Sequence, residues 1–345
     1  MEGLLARGAP WPGAVAVSGG GDSIALMHLL SRWARATRRP PPVVVTVDHR
    51  LRADSAKDAR QVARWARAAK LEHQSLSWSG PRPKSDIEAA AREARYRLMG
   101  AWLRRRKLEA LYVAHTRDDQ AETFLLRLMR GSGLDGLAAM RPLAPYPVPG
   151  FSELSVVRPL LETEREAVRS HLRAKRQEWL EDPMNEEDRF ARIRLRRLLP
   201  ALAEAGLSPA RIAAAAAHLG RAREALDSVT AAVLARSVRP VAGDLHIDAS
   251  ALAAAPREIG LRALAQILML VSRQSYRPRF ERLERLFDRI GAGAIGGGCT
   301  LHGCHLYLPA DGAFGAGTLV VSREMTRPRG KTDRNRRKTA RGGRR

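Results

Sequence analysis

Val15-Ala16-Val17-Ser18-Gly19-Gly20-Gly21-Asp22-Ser23-Ile24-Ala25-Leu26-Met27-His28-Leu29-Leu30 is the stretch that decides the fold. Three small apolar residues read as a short buried strand, and the apolar run from Ile24 starts a helix. A glycine run between a buried strand and a helix lets the backbone turn tightly, so that several N–H groups and the helix N-terminus face one anion. A Walker loop would close on Lys-Ser/Thr, whereas this loop closes on Asp22-Ser23; a dinucleotide fingerprint would place glycine where Ile24 stands. What remains is Ser-Gly-Gly-x-Asp-Ser. Ser18, Gly19, Gly20, Gly21, Asp22 and Ser23 can hold the β- and γ-phosphates of ATP as departing pyrophosphate, with Asp22 as the ligand of a Mg²⁺ ion. The same residues could make an ordinary glycine turn with two helix caps. The strand before and the helix after favour phosphate.

Outward from this loop, short β-branched runs alternate with helical patterns: strands at 15–17, 43–47, 73–78, 111–114 and 156–161, and helices at 53–69, 86–105, 117–130, 164–176 and 190–199. That alternation predicts an α/β fold, a mainly parallel sheet with flanking helices. The proline-rich PLAPYPVPG stretch at 142–150 reads as a surface loop. Beyond Pro200 the texture turns to alanine-rich helix. We expect a catalytic domain over 1–205, a linker helix over 206–239 and a smaller helix-rich C-terminal domain over 240–325, which ends in short strands at 299–308 and 318–323 and contacts RNA. A basic disordered tail over 326–345 would follow.

Lys and Arg number 60 against 36 Asp and Glu, a formal charge of +24; the tail from Thr326 contributes +9, leaving +15 on the remainder. Such a body attracts polyanions. The two cysteines, Cys299 and Cys304, are too few for a disulfide framework and suit a reducing compartment. With no signal-peptide pattern and no apolar stretch near the roughly 18 residues of a membrane span, the expectation is a cytoplasmic protein with no membrane partner. Cys299, His302, Cys304 and His305 lack the paired spacing of zinc frameworks and read as packing residues beside a turn.

At the glycine loop the sequence resembles the N-type ATP pyrophosphatases. The motifs that follow are similar to those of the tRNA(Ile)-lysidine synthases: Val47-Asp48-His49-Arg50-Leu51-Arg52, Ala91-Arg92-Glu93-Ala94-Arg95-Tyr96, the run from Ala114 to Thr123, and Arg130-Gly131-Ser132-Gly133. Arg158-Pro159-Leu160-Leu161, Trp179 to Asn185 and Phe190 to Arg196 continue the likeness, which is strong over about residues 12–200 and returns weakly at Thr300 to Cys304 and Val321 to Glu324. The resemblance implies an adenine nucleotide alpha hydrolase-like domain. It also implies a reaction: AMP is transferred from ATP to the C2 oxygen of the wobble cytidine of a tRNA(Ile) with a CAU anticodon, and free L-lysine then displaces AMP to give lysidine. Arg50 stands where glycine is usual, Thr116 where a second histidine is frequent, and Ile193 where asparagine is frequent. A homodimer is compatible with this reading.

In an open parallel sheet, ligands sit at the carboxyl ends of the strands. Ser18, Asp48 and His115 each follow a predicted strand, so all three should reach one edge. Asp48 suits either nucleoside or metal binding or a turn, and His115 either a phosphate or proton contact or a structural place. We expect Asp22, Asp48 and His115 to be the catalytic residues. Asp118, Asp119 and Glu122 open a helix and would stabilise its dipole; Asp119 and Glu122, three apart, also share a face that suits an ammonium group. With the resemblance, Arg95, Asp119 and Glu122 are assigned to the lysine substrate. Arg192 and Arg196 project from one helical face and Arg194 from another, a set suited to phosphate or tRNA. Two rival readings are a tRNA thiolase of the same loop class, which would want cysteines in the ATP domain, and a non-catalytic RNA-binding protein on a nucleotide fold.

Overall fold

The computed structural model describes residues 1–48, 50, 54–78, 87–181, 191–274, 276–309 and 317–324. His49, Leu51, Arg52, Asp182 to Phe190 and the basic tail lie outside them. The chain divides into two compact units, Met1–Glu224 and Ala225–Arg345.

The first unit carries, in order, α1 (Glu2–Ala6), β1 (Ala14–Ala16), α2 (Gly21–Ala36), β2 (Val43–Asp48), α3 (Ser55–Ala68), β3 (His73–Ser77) and α4 (Ile87–Arg105). Then come β4 (Ala110–Tyr112), α5 (Arg117–Leu128), α6 (Leu134–Leu137), β5 (Leu143–Pro145), β6 (Ser155–Val157), α7 (Arg165–Ala174), α8 (Ala191–Glu204) and the start of α9 (Pro209–Ser237). The six strands form one sheet in the order β3-β2-β1-β4-β6-β5. All neighbours run parallel except β5, which pairs antiparallel with β6 at the edge. The expected mainly parallel α/β sheet is borne out.

Alternation along the strands puts the two faces to different uses. Val15, Val44 and Tyr112 point into a core shared with Ile24, Met27 and Leu30 of α2, Val62 of α3 and Leu172 of α7. Ala14, Val45 and Leu111 point the other way, onto Tyr96, Met99 and Leu103 of α4. Burial on both faces is why these strands read as continuous apolar runs. The proline-rich stretch expected to be a loop contains β5. A proline at the end of an edge strand is tolerated because it costs no ladder hydrogen bond in the sheet interior.

The order of the sheet sets where a ligand can sit. From β1 the chain moves outward to β2 and β3, then returns to the other side of β1 as β4. The crevice between the carboxyl ends of β1 and β4 is therefore the switch point of the sheet.

The second unit takes the rest of α9, then β7 (Val238–Val241), β8 (Asp244–Asp248), α10 (Ala249–Ala253), α11 (Arg257–Ser272), α12 (Phe280–Gly291), β9 (Cys299–Leu301), β10 (Cys304–Tyr307) and β11 (Thr318–Arg323). Its five strands form an antiparallel sheet in the order β7-β8-β11-β10-β9. The division between the units falls within α9, whose two ends belong to different units. Leu283, Leu286, Phe287 and Ile290, one stripe of α12, close the core. A Cβ on Gly260 would lie 2.3 Å from the Phe287 ring, so only glycine allows α11 to approach α12. Cys304 is fully buried and its thiol donates to the Leu268 carbonyl at 3.3 Å, which makes it a packing residue. Among the described residues, no helix is long and apolar enough to cross a membrane.

Candidate active site

A cavity of about 790 Å³ opens at the switch point of the first unit. Its walls come from the ends of β1, β2 and β4, from α4, and from the first turns of α2, α5 and α7. The volume lies within the usual range of small-molecule sites.

The glycine loop forms one wall. Gly19 has φ +98°, the left-handed region that glycine enters without strain, and Gly20 is the extended residue that caps α2. Ser23 Oγ donates to the Gly20 carbonyl at 2.8 Å and accepts from the Ser18 N–H at 3.3 Å, so the two serines pin the turn at both ends. The Ser23 N–H donates to the Gly20 carbonyl at 3.0 Å, while those of Gly21 and Asp22, at the helix N-terminus, suit an anion. From outside, residues 179–181 cross the loop. The Leu180 N–H donates to the Gly19 carbonyl at 2.9 Å, and the Trp179 ring lies beside Gly21.

Asp22, in the first turn of α2, faces this cavity. Burial raises its pKa against the pull of Arg165. Oδ2 accepts from Arg165 Nε at 3.3 Å, whereas Oδ1 is buried with no hydrogen-bond partner among the described residues. An unpaired buried carboxylate oxygen beside a phosphate loop fits Mg²⁺, which binds through one or two carboxylates and substrate phosphates rather than a full protein cage. Among the described residues no group of three or more His, Cys, Asp or Glu side chains could hold a metal by itself.

Asp48 ends β2 at the cavity wall, and its Oδ1 accepts from the Arg50 N–H at 2.9 Å. It therefore fills the turn role and lines the site as well. Arg50 takes φ +52°, the physical reason that glycine suits this position.

The acids of α5 are organised by a residue that sequence reasoning missed. Arg165, the first residue of α7, donates to Asp22, to Asp119 Oδ1 at 2.7 Å and to Glu122 Oε1 at 3.2 Å. Its own N–H is fixed by Asp118 Oδ2 at 2.8 Å, and Arg117 pairs with Glu164, so the starts of α5 and α7 are tied together. Burial opposes the charge of Arg165, but the four carboxylates outweigh it and hold its pKa above the ordinary value. Asp119 is half-buried. Arg165 and the Thr116 N–H nevertheless hold its carboxyl below the usual range, and Thr116 and Asp119 close a capping box at the start of α5.

Glu122 is 0% exposed and lies off the cavity wall; both its oxygens accept from Arg196, at 2.7 and 3.2 Å, besides the bond from Arg165. The side chain expected to meet an ammonium thus sits beneath two guanidinium groups, because α7 and α8 each deliver an arginine to it. Of the other expected residues, Arg95 and Arg196 line the cavity. Arg192 is half-buried and close enough for its charge to act on His115, while Arg194 is exposed and off the wall. Arg92, Arg169, Trp179 and Glu181 line the site without having been expected.

His115, at the end of β4, completes the wall. Its Nδ1 accepts from Arg158 Nε at 3.3 Å. Arg158 is 9% exposed and anchored by an Nη1 bond to the Arg141 carbonyl at 2.8 Å. Burial, reinforced by Arg158, lowers the pKa of His115 to about 3, so the ring is neutral at physiological pH.

A PP-loop domain family profile matches residues 12–202. A tRNA(Ile)-lysidine synthase from Methylobacterium nodulans is 41% identical over 340 residues, covering 96% of this chain and 95% of that protein. One from Ruegeria pomeroyi is 42% identical over 77% of this chain and 62% of its own length, and one from Wolbachia pipientis wMel is 36% identical over 91% and 71%. A solved structure of the U34-tRNA thiolase NcsA from Methanococcus maripaludis aligns at 14% identity with a TM-score of 0.47, over 62% of this chain and 70% of that one, too slight a likeness to bear on the chemistry.

Proposed function

Because the chain belongs to the tRNA(Ile)-lysidine synthase family of PP-loop proteins, we propose that the cavity at the switch point is where ATP, the wobble cytidine of a CAU-anticodon tRNA(Ile) and free L-lysine meet. The chain is a carbon–nitrogen ligase. It consumes ATP and forms lysidine, AMP and pyrophosphate. A tRNA substrate implies work in the cytoplasm.

The observation that carries this reading is the loop Ser18 to Ser23, at the N-terminus of α2 and with a buried Asp22 Oδ1 that has no hydrogen-bond partner among the described residues, opening into that cavity. Loop amides and the two serine hydroxyls would bind the outer phosphates, leaving the α-phosphorus open to the cytidine C2 oxygen. The C2–O–P bond forms as the bond to pyrophosphate breaks. Mg²⁺ held by Asp22 would supply neutralisation of the charge that gathers on pyrophosphate. In the second step the lysine amine bonds C2, and the C2–O bond breaks with its electron pair leaving on AMP. Asp119 supports an ammonium contact from the wall; Glu122, buried behind it, would act by fixing Arg165 and Arg196. Arg95 would orient the same side of the site.

In the second unit, Tyr276 (64% exposed) and Phe280 (58%) stand on the surface among exposed Arg273, Arg277, Arg279 and Arg282. Aromatic faces between guanidinium groups suit an RNA strand, which supports a tRNA contact by this unit. The test of the function is radiolabelled lysine incorporation into transcribed tRNA(Ile), with pyrophosphate assayed in parallel. Asp22→Ala should abolish both signals. Release of ADP and inorganic phosphate in place of AMP and pyrophosphate would overturn the assignment.

A further inference from the structure

We propose that His115 is a catalytic hydrogen-bond donor, offering Nε2–H to an oxygen of the α-phosphoryl group, and that buried Arg158 is the positioning residue that bars it from acting as a base. The proposal deepens the ligase reading above and rests on it.

The argument starts from the hydrogen-bonding inventory of the two side chains. Arginine is a permanent donor with no acceptor atom. When Arg158 Nε donates to His115 Nδ1 at 3.3 Å, that ring nitrogen must present its lone pair, so the single proton of the neutral imidazole sits on Nε2. Protonating Nδ1 would set two N–H groups against each other. Arg158 cannot swing away at little cost: it is 9% exposed, its Nη1 is held by the Arg141 carbonyl, and its own N–H is bound to the Pro142 carbonyl at 2.8 Å. Arg158 is not part of the cavity wall but His115 is, so the ring edge turned away from Arg158 is the one that serves the cavity.

The surrounding charges push the same way. The groups that act on His115 are Arg158 from the end of β6, Asp119 from α5, Arg92 from α4 and Arg192 from α8. Three of these four are cations, and they oppose any second proton on the ring. His115 ends β4 across the crevice from the loop that follows β1, so its Nε2–H and the loop amides converge on one polyphosphate. A donor there helps in both steps. It stabilises negative charge on the α-phosphoryl oxygens as pyrophosphate leaves, and again as AMP takes the electron pair of the C2–O bond. The proton lost by the lysine nitrogen in the second step goes out on the AMP phosphate, since His115 has no site for it.

Three measurements on the full chain test this. The first is the ¹⁵N spectrum of the wild-type histidines. His115 should show an unprotonated Nδ1, a protonated Nε2 and no titration between about pH 5 and 9. A protonated Nδ1, or titration near the ordinary value of about 6.5, overturns the proposal. The second is the first-step rate, read as pyrophosphate release with tRNA and no lysine. His115→Ala should lose about a hundredfold, as when one preorganised donor is removed, whereas His115→Gln, which keeps an N–H at similar reach but is no base, should stay within about tenfold of wild type. Equal loss in both variants, with tRNA and ATP still bound, refutes the donor role. The third is Arg158→Gln. Burial, the larger cause, still opposes the charge there, so the variant should move the acid limb of the pH–rate profile upward without reaching the ordinary histidine value, and that shift should vanish in the double variant with His115→Gln; an unchanged profile in a folded, active Arg158→Gln protein counts against Arg158 as the positioning residue. If wild type releases no pyrophosphate with any tRNA, the ligase reading fails, while the tautomer result is still decided by the first measurement.

Discussion

Replacing Arg165 by methionine removes one guanidinium from the midst of three carboxylates and keeps much of the side-chain volume. Arg165 is 17% exposed and reaches Asp22 at 3.3 Å, Asp119 at 2.7 Å and Glu122 at 3.2 Å. At an effective dielectric near 20, one such contact at about 3 Å has a gross Coulomb energy of roughly 5 kcal/mol, most of which offsets desolvation. Breaking a buried pair on one side typically costs about 3–5 kcal/mol. Here Arg196 still satisfies Glu122 and Thr116 still satisfies Asp119 Oδ2, so we expect a loss at the low end, about 3 kcal/mol at neutral pH. The sign of the pH dependence follows from Asp22. Burial already raises its folded pKa, and without Arg165 it rises further above the unfolded value of about 3.9. A carboxyl raised in the folded state favours folding while protonated, so the deficit should be smallest below the unfolded pKa and grow as pH rises through the folded value. Urea unfolding followed by tryptophan fluorescence at about pH 4.5 and pH 8 measures it, and pyrophosphate release should fall at least about a hundredfold as Asp22 and Asp119 lose their positions. A variant within about 1 kcal/mol of wild type at neutral pH, or a deficit that deepens on acidification, would refute the reasoning.

Gly19→Ala should abolish pyrophosphate release even if the protein folds, because φ +98° strains any L side chain and the new Cβ would lie 2.5 Å from Leu180 Cδ1; adding Leu180→Ala removes the clash but not the strain, so recovery by the double variant would show that φ is not limiting. Arg50→Gly relieves a left-handed residue at φ +52° and should raise stability by up to about 1 kcal/mol in urea unfolding. Asp119→Asn should flatten the acid limb of stability. The folded pKa of Asp119 is lowered, so its contribution is present above the unfolded value of about 3.9 and is lost as pH falls through the folded one, and an unaltered acid transition in the variant would contradict this.

The loop and the strands beside it were legible because both faces of a parallel sheet are buried, so β1, β2 and β4 read as plain apolar runs ended by glycine or a polar turn. Arg165 was not. Thr163-Glu164-Arg165-Glu166 has the charge pattern of a solvated helix start, and the partners of Arg165 lie 43, 46 and 143 positions away in the chain. No local period carries such information. The face shared by Asp119 and Glu122 was visible at their spacing of three, but which cation would occupy it depended on where α7 and α8 pack. In the second unit β7 and β8 escaped notice for a related reason. Val-Arg-Pro-Val at 238–241 contains a proline, and the alternation of Asp-Leu-His-Ile-Asp at 244–248 runs for five residues with only two apolar side chains, too short a period to stand out.

On the proposed reading, two reactants of opposite sign share one cavity, and the charges of its wall suit that. Its described wall carries five arginines, at 92, 95, 165, 169 and 196, and five acids, Asp22, Asp48, Asp58, Asp119 and Glu181. A wall of strong positive charge would hold a triphosphate but repel a lysine ammonium, and a strongly negative one would do the reverse. Balance removes both penalties. On the proposed reading, recognition would then pass to directional groups: loop amides for the outer phosphates, the Asp22 oxygen that has no partner among the described residues for the nucleotide's cation, and a neutral histidine for the α-phosphoryl oxygens. Under this logic the formal charge of +15 on the chain before the tail serves the encounter with tRNA and leaves the chemistry to local pairs. Raising salt should therefore weaken tRNA binding steeply while leaving the first-step rate at saturating tRNA nearly unchanged.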